Sequence, residues 1–358
     1  MTGLGVASGA DVRRPIKLSC RDVWKIYGPH PSGFVAPAPL ADAAALRARI
    51  TAARHVAAVM DVSFDVHEGE IFVIMGLSGS GKSTIVRCLS RLVEPTSGHV
   101  LLDGEDLLAA SPRRMIEIRR RAMGMVFQNF GLLPHLSVLD NVAFPLAIQG
   151  QKPAQRLARA REMVELVGLA GREDSLPHQL SGGQQQRVGI ARSLAAGPEL
   201  WFLDEPFSAL DPLIRRQMQD EFLRLQRLLN KTIVFITHDI GEAFRLADRI
   251  AIMRDGVVIQ IGTPSQIALD PADDYVAAFT EDVPLVRVIH ASDVMTPGDD
   301  ELLEPIAAGT ALEALVPLLA AGSRGFRVVD AQGEGIGHVT AAAILDVLAR
   351  DRARRRAA

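Results

Sequence analysis

Ile71-Phe72-Val73-Ile74-Met75-Gly76-Leu77-Ser78-Gly79-Ser80-Gly81-Lys82-Ser83-Thr84-Ile85-Val86 decides the fold of this chain. The apolar run before Gly76 predicts a strand. The glycines after it predict a tight loop, and Ile85-Val86-Arg87-Cys88-Leu89 continues as a helix. Strand, glycine loop and helix in that order put main-chain amides around an anion at a helix start. Lys82 then supplies charge for the β and γ oxygens of a nucleoside triphosphate, and the Ser83 hydroxyl is placed for Mg²⁺. A glycine-rich turn can join a strand to a helix without a nucleotide, but Gly81-Lys82-Ser83 at its end argues against that reading. Gly76, Leu77, Ser78, Gly79, Ser80, Gly81, Lys82, Ser83 and Thr84 are therefore the candidate ATP-binding residues.

Farther along the chain, Leu200-Trp201-Phe202-Leu203 predicts a second buried strand that delivers Asp204 and Glu205 at its end. Asp204 is the candidate Mg²⁺ ligand with Ser83, and Glu205 the candidate general base for an attacking water. Gln128 follows the apolar run Met125-Val126-Phe127 and is a candidate for the metal or the water. His238, after the strand-like Thr232 to Thr237, is placed to meet a γ-phosphate. Leu180-Ser181-Gly182-Gly183-Gln184-Gln185-Gln186-Arg187 reads as a helix start with a Ser cap and bare amides aimed at an anion. It lies too far along to serve its own chain's loop alone, which points to a partner subunit. Ser208-Ala209-Leu210-Asp211 is a turn that could touch that partner, with Asp211 as the contact.

Taken together, residues 16–281 resemble the nucleotide-binding subunit of an ATP-binding cassette (ABC) transporter. The resemblance implies an α/β P-loop NTPase fold with a RecA-like core, an antiparallel β subdomain and a helical subdomain at about 135–185. It also implies a head-to-tail dimer in which Ser181, Gly182, Gly183 and Gln184 of one copy complete the ATP site of the other. Tyr27, in Val23-Trp24-Lys25-Ile26-Tyr27-Gly28, resembles the aromatic that stacks on adenine in this family; an aromatic packing a strand edge is the alternative.

An insertion at about 29–58 carries prolines at 29, 31, 37 and 39 and then an alanine- and arginine-rich stretch expected to be helical from about 40 to 58. With Glu68-Gly69-Glu70 leading into the loop, and Leu77 where many relatives have Pro, it resembles the uptake ATPases for glycine betaine, proline betaine or choline. The resemblance implies ATP hydrolysis powering osmolyte import through separate transmembrane permease subunits, with a periplasmic or lipid-anchored solute-binding protein choosing the cargo. Docking of the permease is expected near Phe130, Leu132, Leu133, Leu136 and Val138. The expected place is the cytoplasmic face of the inner membrane. An importer ATPase for an amino acid such as histidine, or a non-transport cassette acting on ribosomes or DNA, are the alternatives.

The chain has 358 residues, 48% of them hydrophobic, and a formal net charge of −3, which argues against nucleic acid as a bulk electrostatic partner. No apolar run reaches the length of a membrane span, and the first fifteen residues, expected to be flexible, lack a signal-peptide core. Cys20 and Cys88 have no metal-ligand spacing and are expected as buried free thiols. After Asp282-Val283-Pro284 a second unit is expected over 282–349. It reads βαββα and resembles, at Asp293-Val294-Met295 and its strand-turn-strand, one cystathionine-beta-synthase (CBS) motif. A last helix from Ala341 to Arg350 precedes a basic, solvated tail at 350–358.

Overall fold

The computed structural model describes residues 14–36, 40, 42–126, 131–208 and 210–357, with side chains as far as residue 352. Gln128 and Phe130 lie outside the described residues. The chain divides into two compact units, and residues 15–242 with 246–259 form the first.

β1 (Ile16–Tyr27) opens the first unit. After the insertion, which carries α1 (Ala43–Ala52), the chain returns as β2 (Val56–His67), antiparallel to β1 with Tyr27 opposite Val56 and Ile16 opposite His67. The Asp42 side chain caps α1 by accepting the Ala45 N–H at 2.9 Å. Leu46 and Ile50, one turn apart, bury against Trp24, Ile26 and Met60. The helix expected to reach residue 58 stops at Ala52 and is strand from Val56. Pairing with β1 and burial of alternate residues such as Ala57 and Val59 outweigh the helix preference of alanine there.

β3 (Ile71–Met75) is buried throughout, and α2 (Lys82–Leu89) starts at the end of the glycine loop. β4 (Ser97–Leu102) and β5 (Glu105–Asp106) complete the antiparallel sheet in the order β2-β1-β4-β5. α3 (Pro112–Arg121), capped by Ser111, leads into β6 (Met123–Val126). Next come α4 (Val138–Ile148), α5 (Pro153–Leu166) and α6 (Gly182–Ala195), which pack on one another through buried Val142, Leu146, Ala160, Val164, Val188 and Ala191. Asn141, fully buried, ties the preceding loop to α4: its Nδ2 donates to the carbonyls of Leu133, Leu136 and Ser137 at 2.9–3.0 Å, and its Oδ1 accepts the Leu133 N–H at 2.9 Å.

β7 (Leu200–Asp204), α7 (Pro212–Leu229), β8 (Thr232–Thr237), α8 (Ile240–Leu246), β9 (Arg249–Arg254) and β10 (Val257–Gly262) follow. Strands β6, β7, β8, β3 and β9 stand side by side in that order, all parallel. Met75 lies opposite Thr237, and Asp204 opposite Ile236. The residues that leave these strands, Gly76, Glu205 and His238, therefore emerge at one carboxyl edge, where open α/β sheets bind ligands. Beneath it Phe207, Phe222 and Phe235 pack with ring centroids 5.8–6.1 Å apart, and the Trp201 indole N–H donates to Ser193 Oγ at 2.6 Å.

The second unit takes in residues 260–358 and begins earlier than residue 282. The reason is packing: α9 (Pro264–Leu269) contributes the buried Ser265, whose hydroxyl lies 3.2 Å from the Val288 carbonyl and 2.6 Å from Asp293 Oδ2. α10 (Asp274–Thr280), α11 (Leu285–Val288) and α12 (Ala291–Val294) precede a sheet of β11 (Glu304–Ala307), β12 (Gly325–Val329) and β13 (Gly335–Thr340). α13 (Leu312–Ala320) joins the parallel pair β11 and β12, whereas β12 and β13 form a hairpin. The βαββα order is the one expected, but α14 (Ala341–Ala357) runs past Arg350 into the stretch expected as a tail.

Candidate nucleotide site

The loop between β3 and α2 holds its shape because two glycines permit contacts that a side chain would block. Gly76 has φ 153°, and a Cβ there would lie 2.2 Å from the Met253 carbonyl; Gly81 has φ 104°, and its Cβ would lie 2.2 Å from the Ala58 carbonyl. Lys82, only 5% exposed, folds its ammonium back onto the loop, donating to the Gly76 and Leu77 carbonyls at 2.8 and 2.9 Å. Burial pulls its pKa below the usual lysine value, while the carboxylates of Glu205 and Asp204 oppose that shift. Ser83 Oγ donates to Asp204 Oδ1 at 3.2 Å. Burial pushes the Asp204 carboxyl up, more than the Ser83 bond and the nearby Arg87 and Lys82 charges pull it down. A hydroxyl and an under-compensated carboxylate side by side are two hard oxygen donors, the set that Mg²⁺ takes when phosphates and waters fill its other positions.

Glu205, directly after β7, has φ 45°, a left-handed conformation uncommon outside glycine and asparagine. His238, directly after β8, lies with Nδ1 3.0 Å from Glu205 Oε2. Two residues read separately from the sequence are thus brought into contact. The backbone beside His238 is tied from behind. The Asp239 N–H donates to Thr237 Oγ1 at 2.9 Å, and Thr237 Oγ1 donates to the buried Glu242 Oε2 at 2.7 Å. Burial raises the Glu242 pKa, against the bonds from Thr237 and Gln219 and the charge of Arg215. Neither Glu242 nor Arg215 carried any sequence signal for this role.

A cleft of about 660 Å³ opens above these groups and is lined by Tyr27, the loop residues Leu77 to Thr84 apart from Ser80, Glu205 and His238. Gly76 and Ser80 lie behind it as buried framework. Tyr27 is 42% exposed and lines one end of the cleft, with the Lys25 ammonium over its ring 4.9 Å from the centroid. Arg47, from α1, lines the same cleft and was missed, because only tertiary packing brings the insertion there.

Ser181, Gly182, Gly183 and Gln184 do not line this cleft. Ser181 and Gln184 form a reciprocal cap at the start of α6: Ser181 Oγ accepts the Gln184 N–H at 3.3 Å and Gln184 Oε1 accepts the Ser181 N–H at 3.0 Å. Asp211 caps α7, accepting the Ile214 N–H at 3.0 Å. Among the described residues there is no cluster of three or more His, Cys, Asp or Glu side chains fit for a metal, and no helix long and apolar enough to cross a membrane.

Residues 59–208 match the family model described as ABC transporter. The chain is 56% identical over 334 residues, 92% of its length and 96% of the relative's, to the trimethylamine N-oxide transport system ATP-binding protein of Ruegeria pomeroyi. It is 47% identical to the glycine betaine/proline betaine transport system ATP-binding protein of Escherichia coli, over 78% of this chain and 69% of that one. Among solved structures, a dimeric ATP-binding cassette in a post-hydrolysis state with ADP and Pi is 32% identical with a TM-score of 0.57, covering 69% of this chain and 98% of the other.

Proposed function

Because this chain belongs to the family of ATP-binding subunits of ABC transporters, we propose that it energises import of a small methylated amine, with trimethylamine N-oxide first and glycine betaine, proline betaine or choline next, through separate membrane subunits. That it is an ATPase subunit follows from the family. The choice of cargo class rests on one observation, the match to a trimethylamine N-oxide system protein along nearly the whole of both chains. Trimethylamine N-oxide and the betaines share a small methylated nitrogen centre, so a common cargo class is chemically coherent. We place the chain on the cytoplasmic face of the membrane, bound to its permease, with a solute-binding protein as the indirect partner.

In the proposed mechanism Tyr27 stacks on the adenine and the amides from Leu77 to Thr84 wrap the phosphates. Lys82 leaves the Gly76 and Leu77 carbonyls for the phosphate oxygens, a change its position already permits. Ser83 and Asp204 would hold Mg²⁺, which when bound offsets charge on the β and γ oxygens. Glu205 orients and deprotonates the attacking water, and His238, 3.0 Å from it, both fixes that carboxylate and faces the γ-phosphate. Gln128 reports nucleotide state to the permease. Ser181, Gly182, Gly183 and Gln184 of a second copy close the site, with Asp211 at that interface. ATP favours the closed dimer because it binds that state better, and loss of the γ-phosphate reopens it.

Glu205→Gln tests the chemistry. It should keep MgATP affinity within about twofold and lower turnover by about 10²–10⁴; near-normal turnover removes Glu205 from the role. Cargo is tested by reconstituting the complex with its permease and solute-binding protein. ATPase stimulation by trimethylamine N-oxide or a betaine supports the assignment, and stimulation only by an amino acid such as histidine replaces it.

A further inference from the structure

The insertion contributes a charged side chain to the nucleotide cleft that the mechanism above does not use. Arg47, in the middle of α1, lines the cleft with Tyr27, Val56 and Lys82, and its guanidinium is paired with Asp255. The Arg47 side chain is 36% exposed and that of Asp255 58%, but Arg47 Nη1 is itself buried and makes no well-formed hydrogen bond, so the pair is held by charge rather than by a fitted bond. Asp255 and Gly256 form a tight turn after β9, with φ 54° and 86°. The Gly256 N–H donates to the Ser80 carbonyl at 3.0 Å, and the Gly256 carbonyl accepts the Met60 N–H at 2.8 Å. The carboxylate that holds Arg47 is therefore carried by a turn bonded directly to the phosphate loop. At the other end, Leu46 and Ile50 anchor α1 in the core and fix where Arg47 starts from.

A partly exposed cation at the edge of a polyphosphate site, neutralised by a carboxylate without a well-formed hydrogen bond, is an exchangeable ion pair. A bound nucleoside triphosphate offers phosphate oxygens, for which a guanidinium is geometrically suited. We propose that Arg47 is a nucleotide-contacting residue, exchanging Asp255 for an anionic oxygen of the bound nucleoside triphosphate, so that the insertion helix forms one wall of the ATP site. This rests on the ATP-binding assignment of the cleft. The exchange makes the two ends of one ion pair act in opposite directions: Arg47 favours nucleotide, and Asp255 competes with it. A pair that only stapled α1 to the turn would give both ends the same sign.

The test is MgATP titration of the purified full chain by calorimetry. Arg47→Gln should weaken binding about fivefold, the scale of one charge-assisted contact discounted for solvent. Arg47→Lys should recover most of that loss, and Asp255→Asn should tighten binding about twofold to threefold. Unchanged affinity in Arg47→Gln, or weakening by Asp255→Asn to match it, overturns the proposal. Lys82→Ala separates the two layers of the argument. If the wild type binds, Lys82→Ala does not, and Arg47→Gln binds normally, the inference about Arg47 fails alone. If the wild type itself does not bind MgATP, the ATP assignment fails and this inference with it.

Discussion

Replacing Asn141 with alanine should destabilise the first unit by about 2–3 kcal/mol, although the residue does not line the nucleotide cleft. Four hydrogen bonds disappear, but the loss is smaller than four orphaned groups. The Leu133 carbonyl still accepts the Leu136 N–H, and the Ser137 carbonyl still accepts the Asn141 N–H. The Leu133 N–H and the Leu136 carbonyl lose the partner that Asn141 supplies. Leu133 and Leu136 are half-buried, so the lower part of the range of about 1–3 kcal/mol for each unsatisfied group applies, and the two account for the estimate. Urea unfolding followed by tryptophan fluorescence isolates the right unit, since the chain has two tryptophans, Trp24 and Trp201, both buried there. Asn141→Asp supplies an internal control with a sign. Its carboxyl would be buried among carbonyls, so its native pKa would be raised above the unfolded value of about 4. Between the two values the native state binds more protons than the unfolded one, and stability falls as pH rises. The Asp variant should be nearest to wild type below about pH 4 and worsen toward pH 7. A loss under about 1 kcal/mol for Asn141→Ala, or a pH-independent deficit for Asn141→Asp, would refute the latch.

Ser181→Arg should leave MgATP binding by the monomer intact, lose about 1 kcal/mol of helix capping, and prevent the ATP-dependent dimer that light scattering detects in a Glu205→Gln background; loss of monomer binding would mean Ser181 acts within its own chain. Cys20 and Cys88 should be silent to a thiol reagent at pH 8 in the native protein and both react once it is unfolded, because burial pushes their thiols up to about 12 and about 11. Above about pH 9 the unfolded thiols ionise first, so the native state holds more protons and stability should fall with further rise in pH; rapid native labelling of either thiol would contradict their burial.

The parts of the site that could be read from the sequence are those written locally. Ile71 to Thr84 is strand, loop and helix in one stretch, and Asp204-Glu205 and His238 each end an apolar run that pairs in a parallel sheet. Their meeting at one edge follows from parallel order, because strands of one direction must deliver their last residues to the same side. What escaped reading depends on long-range packing. Arg47 looked like any arginine in an alanine-rich helix, and only burial of Leu46 and Ile50 against Trp24 turns it toward the cleft. Asn141 sits in a helix whose sequence gives no hint that four backbone groups converge on its amide. Val56 to Ala58 read as helix because alanine dominates the stretch, yet the register with Ile26 and Tyr27 makes it strand. The second unit takes in residues well ahead of Asp282-Val283-Pro284 because the Ser265 to Asp293 contact spans 28 residues that carry no motif.

The hydrogen-bonded series Met60, Gly256, Ser80 has a consequence for anyone building hybrids of such cassettes. One strand of the antiparallel sheet, one hairpin tip and the phosphate loop are joined through a single residue, Gly256, and Gly81 leaves no room for a Cβ beside the Ala58 carbonyl. The hairpin tip is far along the chain from the other two pieces, yet the hydrogen bonds tie all three into one unit. A chimera whose crossover separates the hairpin tip from the stretch Ala58 to Met60 would misalign the phosphate loop even with every loop residue retained. Crossovers that carry all three together should preserve nucleotide binding.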